Sequence, residues 1–385
     1  MEKSFKRAFL IAIAIISFHV TCAFAQENER FKLSGYYKNI FLNSKTRDTQ
    51  ENYAVDTNRL RLELTTKITS SLSSFLSYDN DLTLHDFGHT PEFELLRQNN
   101  QKNLAFLDAD KKISEQKHLY WKHSLYRGYI KYQDPRLHWT LGKQAVDWSR
   151  MRLYHPLDLF NPISPLDIEK DEKIGVDALN IDFYPQNFAT ISAIYVMGKT
   201  DEKNGFGLRA SKKIKDYDYA LIAAEYKKDM ILGANFDGYI KEAGFRGEMT
   251  YTKRDNGREF VRASIGLDHN FTSKLYGVAE YFYNGGAEKD PEQFLNSYQS
   301  SRQAITMRRN ILGTGAEYEI SGVTKLANYV FYDFDGRSLF YNPELRYNAK
   351  PNLDLSLGVQ MFWGSSASEF GNYNHLYYAQ AKYYF

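Results

Sequence analysis

Apolar and polar residues alternate along most of the chain, in segments of about ten residues that turn residues separate. In one such segment, Leu60, Leu62 and Leu64 alternate with charged and hydroxyl side chains. Successive side chains of a β-strand point to opposite faces, so a period of two predicts a strand with one apolar and one polar face. The last eleven residues, HLYYAQAKYYF, follow the same pattern.

Eighteen segments fit this description, and turn dipeptides such as Asp335-Gly336 join several of them as hairpins. The alternation is weakest between 217 and 253, so sixteen strands is the alternative count. The predicted strands are 31–43, 59–65, 72–84, 119–132, 136–146, 175–184, 188–198, 205–214, 217–227, 230–239, 242–253, 259–269, 274–284, 305–320, 324–334, 337–348, 353–364 and 375–385.

The connections between these segments alternate in length. All the long ones follow odd-numbered strands: 44–56, 86–117, 147–174, 285–303 and 365–374. An even strand number with long extracellular loops and short periplasmic turns is typical of outer-membrane barrels. The sequence therefore predicts an all-β fold, a transmembrane antiparallel up-and-down β-barrel of about 18 strands with both termini in the periplasm.

Composition favours the same class of membrane protein. The chain has 30 Tyr and 26 Phe, with a mean hydropathy of −0.54. Beyond the N-terminal segment, no stretch holds the roughly 20 apolar residues that a membrane-spanning helix requires. Barrel strands produce such a sequence because half of their residues face water.

The N-terminus predicts a signal peptide over residues 1–25, followed by a single outer-membrane barrel domain over 26–385. Three basic residues precede the apolar run 8–20, and Ala23-Phe24-Ala25 is an A-x-A cleavage site. A lipoprotein signal at Cys22 is the alternative, although Thr21 departs from the small residue expected there. Cleavage would remove the only cysteine and leave equal numbers of basic and acidic residues, so no basic excess points to nucleic acid.

Closing this many strands would leave a water-filled lumen, whose inward side chains would set what passes. Alternation places about twice as many basic as acidic residues on the inward faces, which favours anions if the charges do not simply pair with each other, as Arg61 with Glu63 and Arg346 with Glu344 could. One-residue register shifts would reverse a whole strand. The principal predicted pore-lining residues are Arg59, Arg61, Glu63, Arg127, Lys131, Arg209, Arg246, Arg262, Arg309, Arg346 and Lys382.

The segment 141–167 contains a second signal. A strand ends in Gly142-Lys143-Gln144, Trp148 follows, and the loop continues through Pro156-Leu157-Asp158 to Asn161-Pro162. This arrangement resembles the porin-like superfamily of Gram-negative barrels that includes alginate-export-type channels and related uncharacterised porin families. The resemblance implies a large barrel, eighteen-stranded in the alginate-export type, with an Arg-rich lumen.

The loop 147–174 is rich in apolar residues and prolines, so we expect it to fold into or across the barrel mouth and narrow it. Its predicted constriction residues are Trp148, Arg150, Arg152, Asp158, Asn161 and Asp167. The acidic end, which includes Glu169, Asp171 and Glu172, could hold Ca²⁺, but a solvated loop end is the preferred interpretation. Four histidines near another loop (His85, His89, His118 and His123) match no metal-site spacing.

The expected function is an outer-membrane porin for passive diffusion of small hydrophilic solutes, anionic or sugar-like. Export of an anionic exopolysaccharide is the alternative, and a closed barrel with an enzymatic or adhesive role is a further one. We expect no cofactor, no metal and no catalytic site, because hydrolase, P-loop and dinucleotide motifs are absent.

The expected partners are outer-membrane lipid and lipopolysaccharide, with a homo-oligomer as a further option. The final strand, ending in Phe385, resembles the strand by which outer-membrane proteins are recognised for assembly. That resemblance implies the barrel-assembly machinery as another partner.

Overall fold

A computed structural model describes residues 30–46, 49–86, 106–107, 109–169, 173, 175–185, 188–200, 204–255, 257–287 and 306–385. The predicted signal peptide lies outside these residues. Within them every regular element is a β-strand, and no helix is long and apolar enough to cross a membrane.

Within the described residues, nineteen strands form one antiparallel sheet. In chain order they are β1 (Phe31–Lys45), β2 (Asn52–Lys67), β3 (Leu72–His85), β4 (Lys111–Gln116), β5 (Leu119–Gln133), β6 (Leu137–Gln144), β7 (Val176–Phe183), β8 (Ala189–Met197), β9 (Gly205–Ile214), β10 (Tyr217–Tyr226), β11 (Asp229–Ile240), β12 (Ala243–Lys253), β13 (Phe260–Asn270), β14 (Leu275–Asn284), β15 (Asn310–Ser321), β16 (Thr324–Asp333), β17 (Ser338–Lys350), β18 (Leu353–Trp363) and β19 (Leu376–Tyr384).

Eighteen of these strands close into a barrel, which confirms the predicted fold and strand number. Each wall strand pairs with its neighbours in the chain, and β1 pairs with β19 from Tyr36↔Tyr384 to Asn43↔Tyr377. The backbones of Gly35 and Phe385 exchange two further hydrogen bonds of 2.9 and 3.0 Å. Closure leaves no exposed sheet edge around the wall.

The remaining strand, β4, was predicted as part of a loop. It pairs with β5 from Gln116↔Leu119 to Lys111↔His123, beyond the point where the β5–β6 ladder ends at Gly128↔Lys143. Its sequence, KKISEQ, is short and polar, so it has no apolar face to bury. Backbone pairing with the extended β5 forms it instead, and a side-chain pattern does not predict that.

The two ends of the barrel differ. At the end where β1 begins and β19 finishes, termed the short-turn end, strands are joined by turns such as 215–216 and 241–242. Lys215 and Lys241 each adopt a φ of 55° in these turns, a conformation suited to tight hairpins. The opposite end, termed the long-loop end, carries the longer connections.

Side-chain alternation separates the two faces of the wall. On β10, Ala220 and Ile222 point inward and are 3% and 4% exposed, whereas the outward Leu221 is 69% exposed. Aromatic residues lie on the outer face near both ends. Trp121 and Trp363 are near the long-loop end, and Trp139 stacks on Tyr132 near the short-turn end with ring centroids 5.8 Å apart.

Candidate functional site: a loop across the lumen

The connection between β6 and β7, residues 145–175, is termed the lumen loop, and its described residues (145–169, 173 and 175) lie inside the barrel. Near its start, the Trp148 carbonyl accepts a hydrogen bond of 2.9 Å from Asn235 on β11. Further along, the Leu166 carbonyl accepts one of 2.7 Å from Gln360 on β18. The described part of the loop therefore reaches from one side of the barrel wall to another.

Two wall carboxylates bind the backbone of the lumen loop. Glu280 on β14 accepts hydrogen bonds from the amides of Arg152 (2.6 Å), Leu153 (2.9 Å) and Tyr154 (3.2 Å). Glu248 on β12 accepts from two further loop amides, those of Arg150 and Leu157. Five loop amides are thus bonded to two carboxyl groups of the wall, which anchor the loop to it.

Apolar side chains dock one part of the lumen loop against β8–β11. Leu157 is fully buried, and Trp148 packs edge-on against Phe160 with centroids 5.4 Å apart. Glycines on the wall make room for them. A Cβ at Gly207 would lie 2.5 Å from the Trp148 ring, and one at Gly233 would lie 2.5 Å from Leu157.

A second cluster docks Leu153 and Tyr154, which precede Leu157 in the loop, against β14–β17. Tyr154 stacks on Phe282, with centroids 4.6 Å apart and planes 5° apart, and meets Phe331 edge-on at 5.5 Å. Phe282, Phe331 and Phe340 are all fully buried. These inward residues of the wall are apolar because the lumen loop covers them.

A cavity of about 1390 Å³ remains between the lumen loop and the rest of the wall. It is lined mainly by β1, β2, β5 and β15–β19 towards the short-turn end, together with the loop itself. Its charged lining residues are Lys38, Arg61, Glu63, Arg127, Asp147, Arg150, Arg152, Glu169, Lys173, Asp237, Glu317, Lys325, Glu344, Arg346, Asp354 and Lys382.

The predicted pore-lining residues occupy different depths of the lumen. Those that line the cavity are Arg61, Glu63, Arg127, Arg346 and Lys382. Arg59, Lys131, Arg209, Arg246 and Arg262 lie on inward faces elsewhere along the wall. Arg309 differs from its prediction: β15 begins one residue later, and Arg309 is exposed before it, with its backbone amide bonded to Asp335 at 2.8 Å.

Many of the inward cations are paired with acidic residues on neighbouring strands. Arg61 forms a bidentate pair with Asp79, with N···O distances of 2.5 and 2.6 Å, and both side chains are buried. Arg59 binds Asp81 at 2.8 Å. The pairing considered from sequence, Arg61 with Glu63, does not form, and Glu63 accepts a weak bond from Ser77 instead.

The pairing of Arg346 with Glu344, also considered from sequence, is present at 2.8 Å. Arg246 pairs with Asp237 and Asp268. Sequence reasoning missed Asp79 and Asp81, although alternation within 77–85 places both on one face of β3. The basic excess of the lumen is consequently smaller than predicted.

Cations and tyrosines alternate along one arc of the cavity wall, termed the cation–tyrosine arc. The guanidinium of Arg61 lies 3.5 Å from the Tyr126 ring and 5.1 Å from the Tyr36 ring. The ammonium of Lys382 lies 4.0 Å from the centre of the Tyr36 ring. Across β5, β2, β1 and β19 the arc comprises Arg127, Tyr126, Arg61, Tyr36, Lys382 and Tyr384.

The six predicted constriction residues fall into three groups. Trp148, Asp158 and Asn161 are buried and hold the lumen loop together, with Asn161 accepting from the Val146 amide at 3.1 Å. Arg150 and Arg152 extend their side chains into the cavity. Asp167 is exposed and accepts a hydrogen bond from the Ser164 amide at 3.1 Å, so it shapes a turn.

Lys173 joins two acidic residues at the base of the lumen loop. Its ammonium lies 2.5 Å from Asp158 and 3.1 Å from Asp147. Burial raises the pKa of Asp158 to about 6, although Lys173 opposes this shift. Burial also lowers the pKa of nearby His155 to about 4, and its Nδ1 lies 3.0 Å from the Ser149 hydroxyl.

The acidic end of the loop, considered as a Ca²⁺ site, is only partly described, because Asp171 and Glu172 lie outside the described residues. Glu169 is held by Lys38 at 2.6 Å and Arg59 at 2.8 Å. Of the four histidines, His89 is also outside them. Where side chains are described, no group of three acidic, His or Cys residues could hold a metal ion.

The closed antiparallel barrel of eighteen strands matches the fold of outer-membrane porins. No protein-family model and no curated protein matches the chain. The structure is similar to OccAB1 of Acinetobacter baumannii, with a TM-score of 0.60 and 10% identity over 92% of this chain and 96% of that one. It is also similar to OpdK of Pseudomonas aeruginosa solved with vanillate, with a TM-score of 0.59 and 9% identity over 93% and 99% of the two chains.

Proposed function

We propose that this protein is an outer-membrane channel through which small hydrophilic solutes diffuse, with a preference for anions. The observation that carries the preference is the placement of Arg150 and Arg152 on the lumen loop. Both side chains line the cavity, and within the described part of the chain neither forms a salt bridge. Cations without a paired carboxylate attract anions in a pore.

The lumen loop also favours small solutes over a polymer. Its backbone crosses the barrel and is anchored on β12 and β14, in the region where an exported polysaccharide would pass. The resemblance of 141–167 to alginate-export-type channels therefore stays a prediction. So do the enzymatic and adhesive alternatives, for which the described residues supply no supporting arrangement.

Further proposals follow from a location in the outer membrane. Residues 1–25 would be removed on export, and the short-turn end would face the periplasm. The outer apolar face would contact lipid and lipopolysaccharide, and Phe385 would serve recognition by the assembly machinery. A homo-oligomer in the membrane is part of the same proposal.

Single-channel recording of the purified barrel in a planar bilayer under a salt gradient tests the function. We expect steady conductance with a reversal potential on the anion-selective side. Replacing Arg150 and Arg152 together by Gln should move that potential towards cations, whereas Lys111→Gln on β4, outside the lumen, should leave it unchanged. Absence of conductance would overturn the channel, and cation selectivity would overturn the anion preference.

Solute competition refines the test. Because OpdK was solved with vanillate, an aromatic carboxylate, vanillate is a suitable first probe. We expect it to reduce the ion current through the wild-type channel more than through the Arg150/Arg152 variant. Equal block of both channels would place anion recognition elsewhere in the lumen.

A further inference from the structure

The cluster of Asp147, Asp158 and Lys173 holds two carboxylates against one ammonium. The Asp158 side chain is completely buried, while that of Asp147 is 66% exposed. Lys173 contacts both, and Asp147 and Lys173 line the cavity. The charge of this cluster is therefore felt by an ion in the cavity.

Other polar groups surround Asp158. From the lumen loop, the Ser149 amide donates to its Oδ1 at 3.4 Å, and His155 contacts Ser149. From β12, Glu248 interacts electrostatically with Asp158 while binding the Arg150 and Leu157 amides. Arg150 lies near Arg209 of β9, and Arg152 near His155.

We propose that Asp158 is a specificity-determining residue whose protonation in mild acid removes one negative charge from the lumen and makes the channel more selective for anions. With both carboxylates ionised, the cluster carries a net charge of −1, and protonation of Asp158 brings it to zero. This inference rests on the proposed channel function and assigns its regulation to one residue.

The sign of the effect follows from burial. The pKa of Asp158 is raised to about 6, so its carboxyl is ionised at pH 8 and protonated at pH 5. The pKa of His155 is lowered to about 4, so His155 stays neutral across this range. Glu248 of β12 is a second buried carboxyl that can change charge in this range. It contacts the lumen loop through backbone amides, whereas Asp158 is bonded to Lys173, which lines the cavity. We therefore assign the change in selectivity to Asp158.

Reversal potentials measured in a KCl gradient at pH 8 and pH 5 test this proposal. We expect the chloride-to-potassium permeability ratio of the wild type to rise about ten-fold on acidification. Loss of a unit charge roughly 6 Å from the path in water changes the permeation of the anion and of the cation by about three-fold each, in opposite directions. Asp158→Asn should show the high ratio at both pH values. Asp216→Asn, at an exposed aspartate in a short turn outside the lumen loop, should behave like the wild type.

A second variant covers the case in which Asp158→Asn does not fold. Lys173 lowers the pKa of Asp158, so Lys173→Gln should shift the midpoint of the selectivity change to higher pH. An unchanged midpoint, or a wild-type pH response in Asp158→Asn, would overturn the role of Asp158. Loss of conductance in the wild type itself would instead overturn the proposed function.

Discussion

At the scale of single residues, the lumen contains cations with two different roles. Arg61 is buried and bound to Asp79 while stacking on Tyr126, so it belongs to the packed wall. Arg152 contributes its backbone amide to Glu280 and leaves its side chain in the cavity. Sequence alternation places Arg61 in the lumen, and the composition of loop 147–174 places Arg152 there, but only the structure separates a structural cation from one that can meet a solute.

Because of this difference, replacing arginine by methionine should affect stability at position 61 and anion selectivity at position 152. Arg61→Met would leave Asp79 buried without its bidentate partner, which should lower the free energy of unfolding by about 3–5 kcal/mol. Arg152→Met should leave stability nearly unchanged and reduce anion selectivity. Urea unfolding of the detergent-solubilised barrel measures the first effect. Equal stability of the two variants would contradict the assignment.

Glycine on the wall determines how closely the lumen loop can dock. Gly207→Ala would place a methyl group 2.5 Å from the Trp148 ring and should cost about 1–3 kcal/mol through overpacking. Gly322→Ala is the matched control, because nothing lies within 4 Å of the added atom. Thermal unfolding in detergent should separate the two variants, and equal midpoints would mean that the ring relocates without cost.

At the scale of elements, the sequence predicts the wall strands well and their partners poorly. Alternation is a local signal, and it is strong wherever one face meets lipid and the other meets the lumen. The pairing of Arg59 with Asp81 depends on the register between β2 and β3, which alternation within either strand does not specify. Alternation also fails to predict β4, because this short polar segment forms a strand only through backbone pairing with β5.

The apolar content of loop 147–174 correctly indicated an element that avoids water. Its anchoring on Glu248 and Glu280 was not predicted, although alternation within β12 and β14 places both residues on inward faces. Recognition of backbone amides by these carboxylates joins segments about 100 residues apart, as with Arg150 and Glu248. A period of two in the sequence carries no information on such contacts.

Glu280→Gln tests the anchoring of the lumen loop. The amide would replace a carboxylate that accepts three backbone N–H groups, and the loss should be about 1–3 kcal/mol. We expect more frequent transitions between conductance levels in single-channel records, because the loop would leave the wall more often. Glu242→Gln, in an exposed short turn, is the control. Single-channel records identical to those of the wild type would show that apolar contacts alone hold the lumen loop against the wall.

At the scale of the whole molecule, the barrel and the lumen loop are separable in their construction. The eighteen wall strands close through backbone ladders that include no residue of the loop. The loop instead sets which part of the lumen is apolar and covered, and which part remains as the charged cavity. The architecture is thus readable from strand periodicity, whereas the shape of the path depends on contacts across the barrel.

Replacing residues 148–166 by a short Gly-Ser linker tests this division. Because the ladders persist, the variant should still form a closed barrel whose gel mobility changes on heating. It should be less stable than the wild type, since Phe282, Phe331 and Ile194 would face water, at a cost of roughly 25 cal/mol for each Å² of apolar surface exposed.

The conductance of this loop-replacement variant should increase, and larger sugars should enter proteoliposomes in swelling assays. Removal of β4, beyond the end of β6, is the control that should change neither property. A folded variant with unaltered conductance would mean that ions do not pass beside the lumen loop.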